Sequence, residues 1–182
     1  MISPILEKIF NLCIEEGRFP EAFKLSEILP IYKAGSKTKV TNYRPIALLS
    51  AFSKLLEKCI YKRIVKFFNM HNLFYQHQFG FRENSSTENA IQQIYQYLLM
   101  KLDKKEIIGS VFVDLKKAFD TVNHSVLLMK FKKYGIRGIT YDLIDSYISN
   151  RRQYTVINGC KSEIRKISCG VPQRSTLGPC FF

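Results

Sequence analysis

Apolar residues recur at three- and four-residue spacing in five stretches of this chain and gather into short runs in four others, a pattern that predicts a mixed helical and stranded fold. Ile5, Leu6, Ile9, Phe10 and Cys13 form one helical face behind Ser3 and Pro4, a serine N-cap with proline at the first helical position, and Gly17 ends that helix. Residues 27–33 read as a strand feeding a basic loop at Gly35-Ser36. Ser50 or Ser53 starts a second helix with Leu55, Leu56, Cys59, Ile60, Ile64, Phe67 and Phe68 inward and Lys58, Lys62, Arg63 and Lys66 outward. Ser85 and Glu88 are spaced as a capping box for a third, whose stripe of Ile91, Ile94, Tyr95, Leu98, Leu99 and Leu102 reads as core. Two short helices follow over 124–134 and 140–149, split by Gly135 and Gly138. Residues 153–157 and 163–167 read as a hairpin around Asn158-Gly159.

Between the third and fourth helices lies the stretch on which the rest is organised, residues 107–122 (IIGSVFVDLKKAFDTV). Ile107, Ile108, Val111, Phe112 and Val113 make an apolar, β-branched run of the kind found in strands buried on both faces. It ends at Asp114, a carboxylate placed where a sheet meets solvent. Mg²⁺ takes oxygen ligands and is usually held by one or two carboxylates together with substrate phosphates, so Asp114 is a candidate metal ligand.

Composition narrows the function classes. Nearly half of the 182 residues are apolar and 13% are aromatic, too many for a disordered chain, and no apolar run approaches the roughly 20 residues of a membrane helix. The N-terminus shows no signal-peptide pattern. The net charge of +13 is spread over the whole length, in Lys33/Lys37/Lys39, Lys62/Arg63/Lys66, Lys104/Lys105, Lys116/Lys117, Lys130/Lys132/Lys133 and Arg151/Arg152. Basic residues so distributed favour a long polyanion, because each neutralised phosphate releases counterions. Five widely spaced cysteines with no C-x-x-C pair read as reduced, several at apolar positions, and the three histidines have no metal-ligand spacing.

The motifs then point to one family. F-V-D-L-K-K-A-F-D-T-V-x-H resembles the first catalytic motif of reverse transcriptases of non-LTR retrotransposons, of the LINE and jockey kind. P-x-x-K-x-G-S, N-Y-R-P-I-x-L-L-S and K-x-x-E resemble their fingers region, and G-V-P-Q-R-S-x-L-G-P at 170–179 resembles their G-V-P-Q-G-S-x-L-G-P loop. The resemblance implies an α+β fold, a partial right-hand polymerase with fingers over 1–105 and an incomplete palm over 106–182. It implies that Asp114 holds metal, with the Leu115 carbonyl beside it, and that Phe119 blocks a ribose 2′-hydroxyl; plain core packing is the other reading of Phe119. Lys33 and Arg44 would grip the triphosphate of an incoming nucleotide, with Lys37 and Lys39 competing for the role of Lys33, and Gln173 would contact the nucleotide and template. Residues 75–82 (YQHQFGFR) interleave aromatics and amides and read either as a base-stacking loop or as a packed turn. They resemble the family's Q-x-G-F-R element near the template, which assigns Gln78, Gly80, Phe81 and Arg82, with the basic pair Lys62 and Arg63, to template and primer. Asp120 reads as a capping or structural carboxylate.

Two departures matter. Arg174 stands where the family has glycine, a residue used where φ is positive or another backbone comes close, and its long charged chain is expected to crowd the nucleotide site. Polymerase chemistry with two metal ions needs more than one carboxylate, and the Φ-A-D-D hairpin that supplies the others in the family has no Asp-Asp counterpart in the 182 residues. The expectation is therefore a fragment, truncated at its C-terminus, of an RNA-directed DNA polymerase from a mobile element, inactive alone. Its parent would use Mg²⁺, or Mn²⁺ in its place, with an RNA template, a DNA primer, deoxynucleoside triphosphates and the remainder of the polymerase chain as partners. The parent would be intracellular, in cytoplasm and nucleus, without membrane association. The alternatives are a non-catalytic RNA- or DNA-binding remnant or co-opted module that uses only its basic surface, and a product that never folds stably because half a palm leaves its sheet unpaired.

Overall fold

Helices and strands follow one another in the order α1 (Ser3–Glu15), β1 (Leu25–Tyr32), β2 (Tyr43–Leu48), α2 (Ala51–Met70), α3 (Thr87–Asp103), α4 (His124–Lys133), α5 (Gly138–Ile148), β3 (Arg152–Ile157), β4 (Cys160–Lys161) and β5 (Arg165–Lys166). This is a computed structural model, and it describes residues 2–181. The mixed helical and stranded architecture agrees with the α+β expectation. The chain divides into two units, Met1–Arg63 with Lys117–Phe182, and Ile64–Lys116.

The first unit is built on a sheet in which β1 pairs antiparallel with β2 and parallel with β3, while β4 and β5 return antiparallel along β3. Asn158 and Gly159 both take positive φ, 50° and 80°, as a two-residue turn of the I′ kind requires. Pairing therefore resumes at once, Ile157 opposite Cys160. The return strand expected over 163–167 forms only at Arg165–Lys166, and Cys160–Lys161 pairs ahead of it, because the register slips by one residue between Lys161 and Arg165. At the slip the Ser162 hydroxyl accepts the Thr155 N–H and its own N–H donates to the Thr155 carbonyl. This is a bulge filled by a side chain.

Gly17 ends α1 at φ 65° with the Arg18 N–H on the Cys13 carbonyl, the Schellman closure. Ser3 lies inside the helix and not at its N-cap, which is Ile2 without a side-chain bond. At α2 the cap is Ser50, whose Oγ accepts the Ser53 N–H. The buried line of α2 runs Ser53, Leu56, Glu57, Ile60, Ile64, Phe68, and the four basic residues expected outward are exposed. Leu55 and Cys59, expected inward, are exposed, because Ser53 and Glu57 take the inward positions one turn apart. Around Tyr147 of α5 the core closes with Phe19 at 4.9 Å and Phe181 at 6.0 Å between ring centroids, and with Leu56, Leu143 and Leu177 buried in the same unit.

The second unit departs furthest from the sequence expectation. Helix α3 is capped by Ser86, whose Oγ accepts the Asn89 N–H, one residue past the expected Ser85. None of its residues is buried, so the stripe expected as core is uncovered. Residues 107–113 form no strand; Ile107 is fully exposed and Phe112 is 91% exposed. The run has the composition of a buried strand, but among the described residues none pairs with it, and a strand's burial comes from its neighbours and not from its own sequence.

Candidate functional site

Two loops of the first unit are fastened together along their backbones. Gly170 N–H donates to the Val122 carbonyl at 2.8 Å and Val171 N–H to the Phe119 carbonyl at 2.8 Å. Gly170 has φ +83°, and a Cβ built on it would lie 2.7 Å from the Asp120 carbonyl oxygen, so only glycine admits this approach. The Gly170 carbonyl in turn accepts from Nε2 of His124 at 2.7 Å, which places the proton on Nε2. Across the junction Nε2 of Gln173 donates to Oδ1 of Asp120 at 2.9 Å. The Gln173 carbonyl accepts the Ala47 N–H of β2 at 3.3 Å, tying the loop to the sheet as well. These contacts border a cavity of about 240 Å³ between Ile28, Pro45 and Ala47 of the sheet and Asp120, Pro172 and Gln173 of the loops. Phe119 is half-buried, its ring edge 3.5 Å from where a Cβ on Gly178 would stand.

Beneath the same loop lies a buried charged group that periodicity does not reveal. Glu57 is fully buried on α2; its Oε2 accepts the Thr176 N–H at 2.7 Å and its Oε1 the Ser53 hydroxyl at 3.3 Å. Burial pushes the Glu57 carboxyl above the usual carboxylate range, against the pull of the Thr176 N–H and the Arg151 charge. Arg151 is 1% exposed, donates to the Tyr147 carbonyl at 3.2 Å and lies 4.9 Å from the Tyr147 ring centroid. It is therefore withdrawn from the polyanion-binding surface to which its place beside Arg152 assigned it.

Arg174 has φ +70°, the left-handed conformation, and its side chain is exposed. The glycine expected at this position has a backbone reason. Arg174→Gly is expected to stabilise the chain by about 1 kcal/mol, the relief of left-handed strain exceeding the added freedom of the unfolded chain. Thermal unfolding should show a raised midpoint.

The other candidate residues are placed as follows. Ile31 pairs with Arg44, and the Lys33 N–H donates to the Asn42 carbonyl beyond the end of the ladder. The register thus sets Lys33 and Arg44 on one face of the β1–β2 ribbon, while Ile28, Pro45 and Ala47 at the cavity lie on the other. Lys37, the competitor of Lys33, stands 5.8 Å from the Tyr32 ring centroid, and Lys39 is exposed. Lys62 and Arg63 are exposed on α2. In the second unit Gln78 donates to the Gly80 carbonyl at 3.4 Å, and Arg82 lies 4.9 Å from the Phe74 ring centroid and donates to the Tyr75 carbonyl. Arg82 thus braces its own loop, whereas Phe81 is 64% exposed. Among the described residues the ion pairs are Lys24–Glu21 and Lys101–Glu106, so most of the basic side chains carry unpaired charge.

Asp114 and Leu115 stand in the second unit on the exposed stretch that follows Val113. Among the described residues no three His, Cys, Asp or Glu side chains gather as a metal site. One carboxylate on an open segment does not make a two-ion centre, so the residues described do not fit one and no chemical step is derived through it.

Sequence reasoning missed the parts played by Asp120, His124, Glu57 and Arg151. Glu57 stood in the quoted K-x-x-E, and Asp120 and His124 in the quoted first motif, but the bonds they make run to residues far along the chain. Comparison with known proteins agrees with the motifs. A sequence profile described as reverse transcriptase (RNA-dependent DNA polymerase) matches residues 31–182. The chain is 36% identical over 175 residues to the RNA-directed DNA polymerase from mobile element jockey of Drosophila funebris, covering 96% of this chain and 19% of that protein. It is 34% identical over 178 residues to the jockey protein of Drosophila melanogaster, covering 97% and 19%. To the Pol polyprotein from type-1 retrotransposable element R2 of Popillia japonica it is 28% identical over 174 residues, covering 94% and 24%. The chain spans about a fifth of the length of the jockey proteins.

Proposed function

Because the chain belongs to the reverse transcriptase (RNA-dependent DNA polymerase) family, we propose that it supplies the fingers and part of the palm of an RNA-directed DNA polymerase of a mobile element. The parent reaction is template-directed deoxynucleotidyl transfer to a primer 3′-end, with an RNA template, a DNA primer and deoxynucleoside triphosphates as substrates. The observation that carries this reading is the fastening of Phe119–Val122 to Gly170–Gln173, which joins two motifs of the family into one loop pair beside a cavity. Gln173, which lines the cavity, would meet the nucleotide there, with Phe119 on the adjoining loop. Lys33 and Arg44 share the ribbon face turned away from that cavity, so a triphosphate they gripped together, for which Arg44 offers a planar fork, would lie outside it. Gln78, Gly80, Phe81, Arg82, Lys62 and Arg63 would follow template and primer.

The family generally uses divalent metal; Asp114, with the Leu115 carbonyl, would give Mg²⁺ its first protein ligands. The remaining carboxylates would come from the rest of the polymerase chain. The 182-residue chain alone is accordingly expected to extend no primer. Residues 31–182, carried with Arg174→Gly into the corresponding segment of the jockey polymerase, should support incorporation, and Asp114→Ala in that chimera should lower it by at least about a hundredfold. Incorporation by the isolated chain, or a chimera indifferent to Asp114, would overturn the assignment. The second reading, nucleic-acid binding without catalysis, is favoured by the unpaired basic side chains. It predicts binding indifferent to Asp114 but weakened by charge reversal at Lys62 or Arg63.

A further inference from the structure

The geometry points to Asp120 as the positioning residue of Gln173: its carboxylate fixes which end of the Gln173 amide is offered to a nucleotide. This rests on the reading of Gln173 as a nucleotide contact. An amide side chain carries an acceptor oxygen and a donor NH₂ at nearly the same place, and a free glutamine presents either by rotating its terminal bond. A carboxylate only accepts. With Oδ1 of Asp120 2.9 Å from Gln173, the NH₂ is held on the Asp120 side and Oε1 is left as the open acceptor.

Both partners are themselves held. Gln173 is anchored through its own carbonyl by the Ala47 N–H, and Val171 and Gly170 are bonded to Phe119 and Val122 on either side of Asp120. The Asp120 backbone lies against Gly170 so closely that no Cβ fits between them. His124 closes the arrangement on the Gly170 carbonyl. Asp120 and Gln173 line the same cavity, so an amide oriented there meets a ligand in one sense only. A group held in its bonding orientation before the ligand arrives loses less freedom on binding than one that must be ordered by it.

The test uses the whole chain labelled with ¹⁵N at its glutamines. The Gln173 side-chain amide is assigned by its loss in Gln173→Ala, and deoxyadenosine triphosphate is the probe. In the unsubstituted chain one Nε2 proton is expected downfield of the free-glutamine position and slow to exchange with water, as a proton bonded to Asp120 would be, and both are expected to move on titration with the nucleotide. Gln173→Ala and Asp120→Ala are each expected to weaken binding about tenfold, the double variant no more than either single one. Asp120→Asn, which keeps an acceptor oxygen, is expected to weaken it less. Unfolding midpoints recorded beside the affinities separate a loss of stability from a loss of orientation. If Gln173→Ala weakens binding and Asp120→Ala does not, the positioning role is wrong and the nucleotide reading stands. If Gln173→Ala binds as the parent does, or the parent shows no saturable binding, the nucleotide reading fails and the proposal with it. Should Asp120→Ala fail to fold, the unsubstituted chain still decides, since a freely rotating Gln173 amide in it would overturn the proposal.

Discussion

Gly170→Ala is expected to lower the unfolding free energy by about 3 kcal/mol, the sum of left-handed strain on a residue with a Cβ and of a backbone forced apart. The added carbon would stand 2.7 Å from the Asp120 carbonyl oxygen and 2.9 Å from its carbonyl carbon and Cα. None of these is the far end of a flexible side chain, so the contact is relieved only by moving one loop from the other. That movement breaks the Gly170–Val122 and Val171–Phe119 hydrogen bonds together and takes the Gly170 carbonyl away from His124. Gly109→Ala provides the comparison. A Cβ at Gly109 meets nothing within 4 Å, and the change there should stay within about 0.5 kcal/mol. Urea unfolding of the two variants, with hydrogen exchange at the Val171 amide, measures both the loss and its location.

Arg151→Ala is the second large effect, expected to cost about 3 to 5 kcal/mol. The side chain is 1% exposed, so its removal leaves a cavity beside Tyr147 and takes away a positive charge that pulls the Glu57 carboxyl down. The Glu57 carboxyl, already pushed up by burial, then has the Thr176 and Leu177 backbone N–H groups and the Ser53 hydroxyl as its support. No direct ion pair joins Arg151 to Glu57 among the described residues, but the arginine charge favours the ionised carboxyl, so part of the cost should disappear when Glu57→Gln is already present. Unfolding of the four chains of that cycle gives the coupling. A cost left unchanged by Glu57→Gln would mean that Arg151 acts by packing alone.

Local signals in the sequence were sufficient for much of the first unit. The Asn158-Gly159 turn, the glycine closure of α1 and the spans of α2, α4 and α5 depend on neighbours a few residues away, and the structure has them close to where periodicity put them, although Leu55 and Cys59 of α2 turn outward. The positive φ at Arg174 was legible too, because a glycine was expected there. Glu57 and Arg151 were not legible. Glu57 entered only as the glutamate of K-x-x-E and Arg151 only as one of a basic pair, and nothing local marks either as buried, since the Glu57–Thr176 bond joins residues 119 positions apart. Residues 107–113 failed for the opposite reason: their composition is that of a buried strand, but burial needs partner strands, and none of the described residues supplies one. Asp114 therefore remains a motif residue on an open segment, whereas Asp120, which the sequence marked as a capping or structural carboxylate, is the carboxylate with a built environment.

The central claim is that this chain is the nucleic-acid- and nucleotide-holding part of a polymerase, and its most direct test is equilibrium binding of an RNA template annealed to a DNA primer over a range of salt concentrations. The account predicts affinity that falls with a log–log slope of about −3 to −5, the release expected when several phosphates are neutralised, and a slope shallower by about one for each charge removed at Lys62 or Arg63. No binding at low salt, or binding insensitive to both salt and those substitutions, would contradict it.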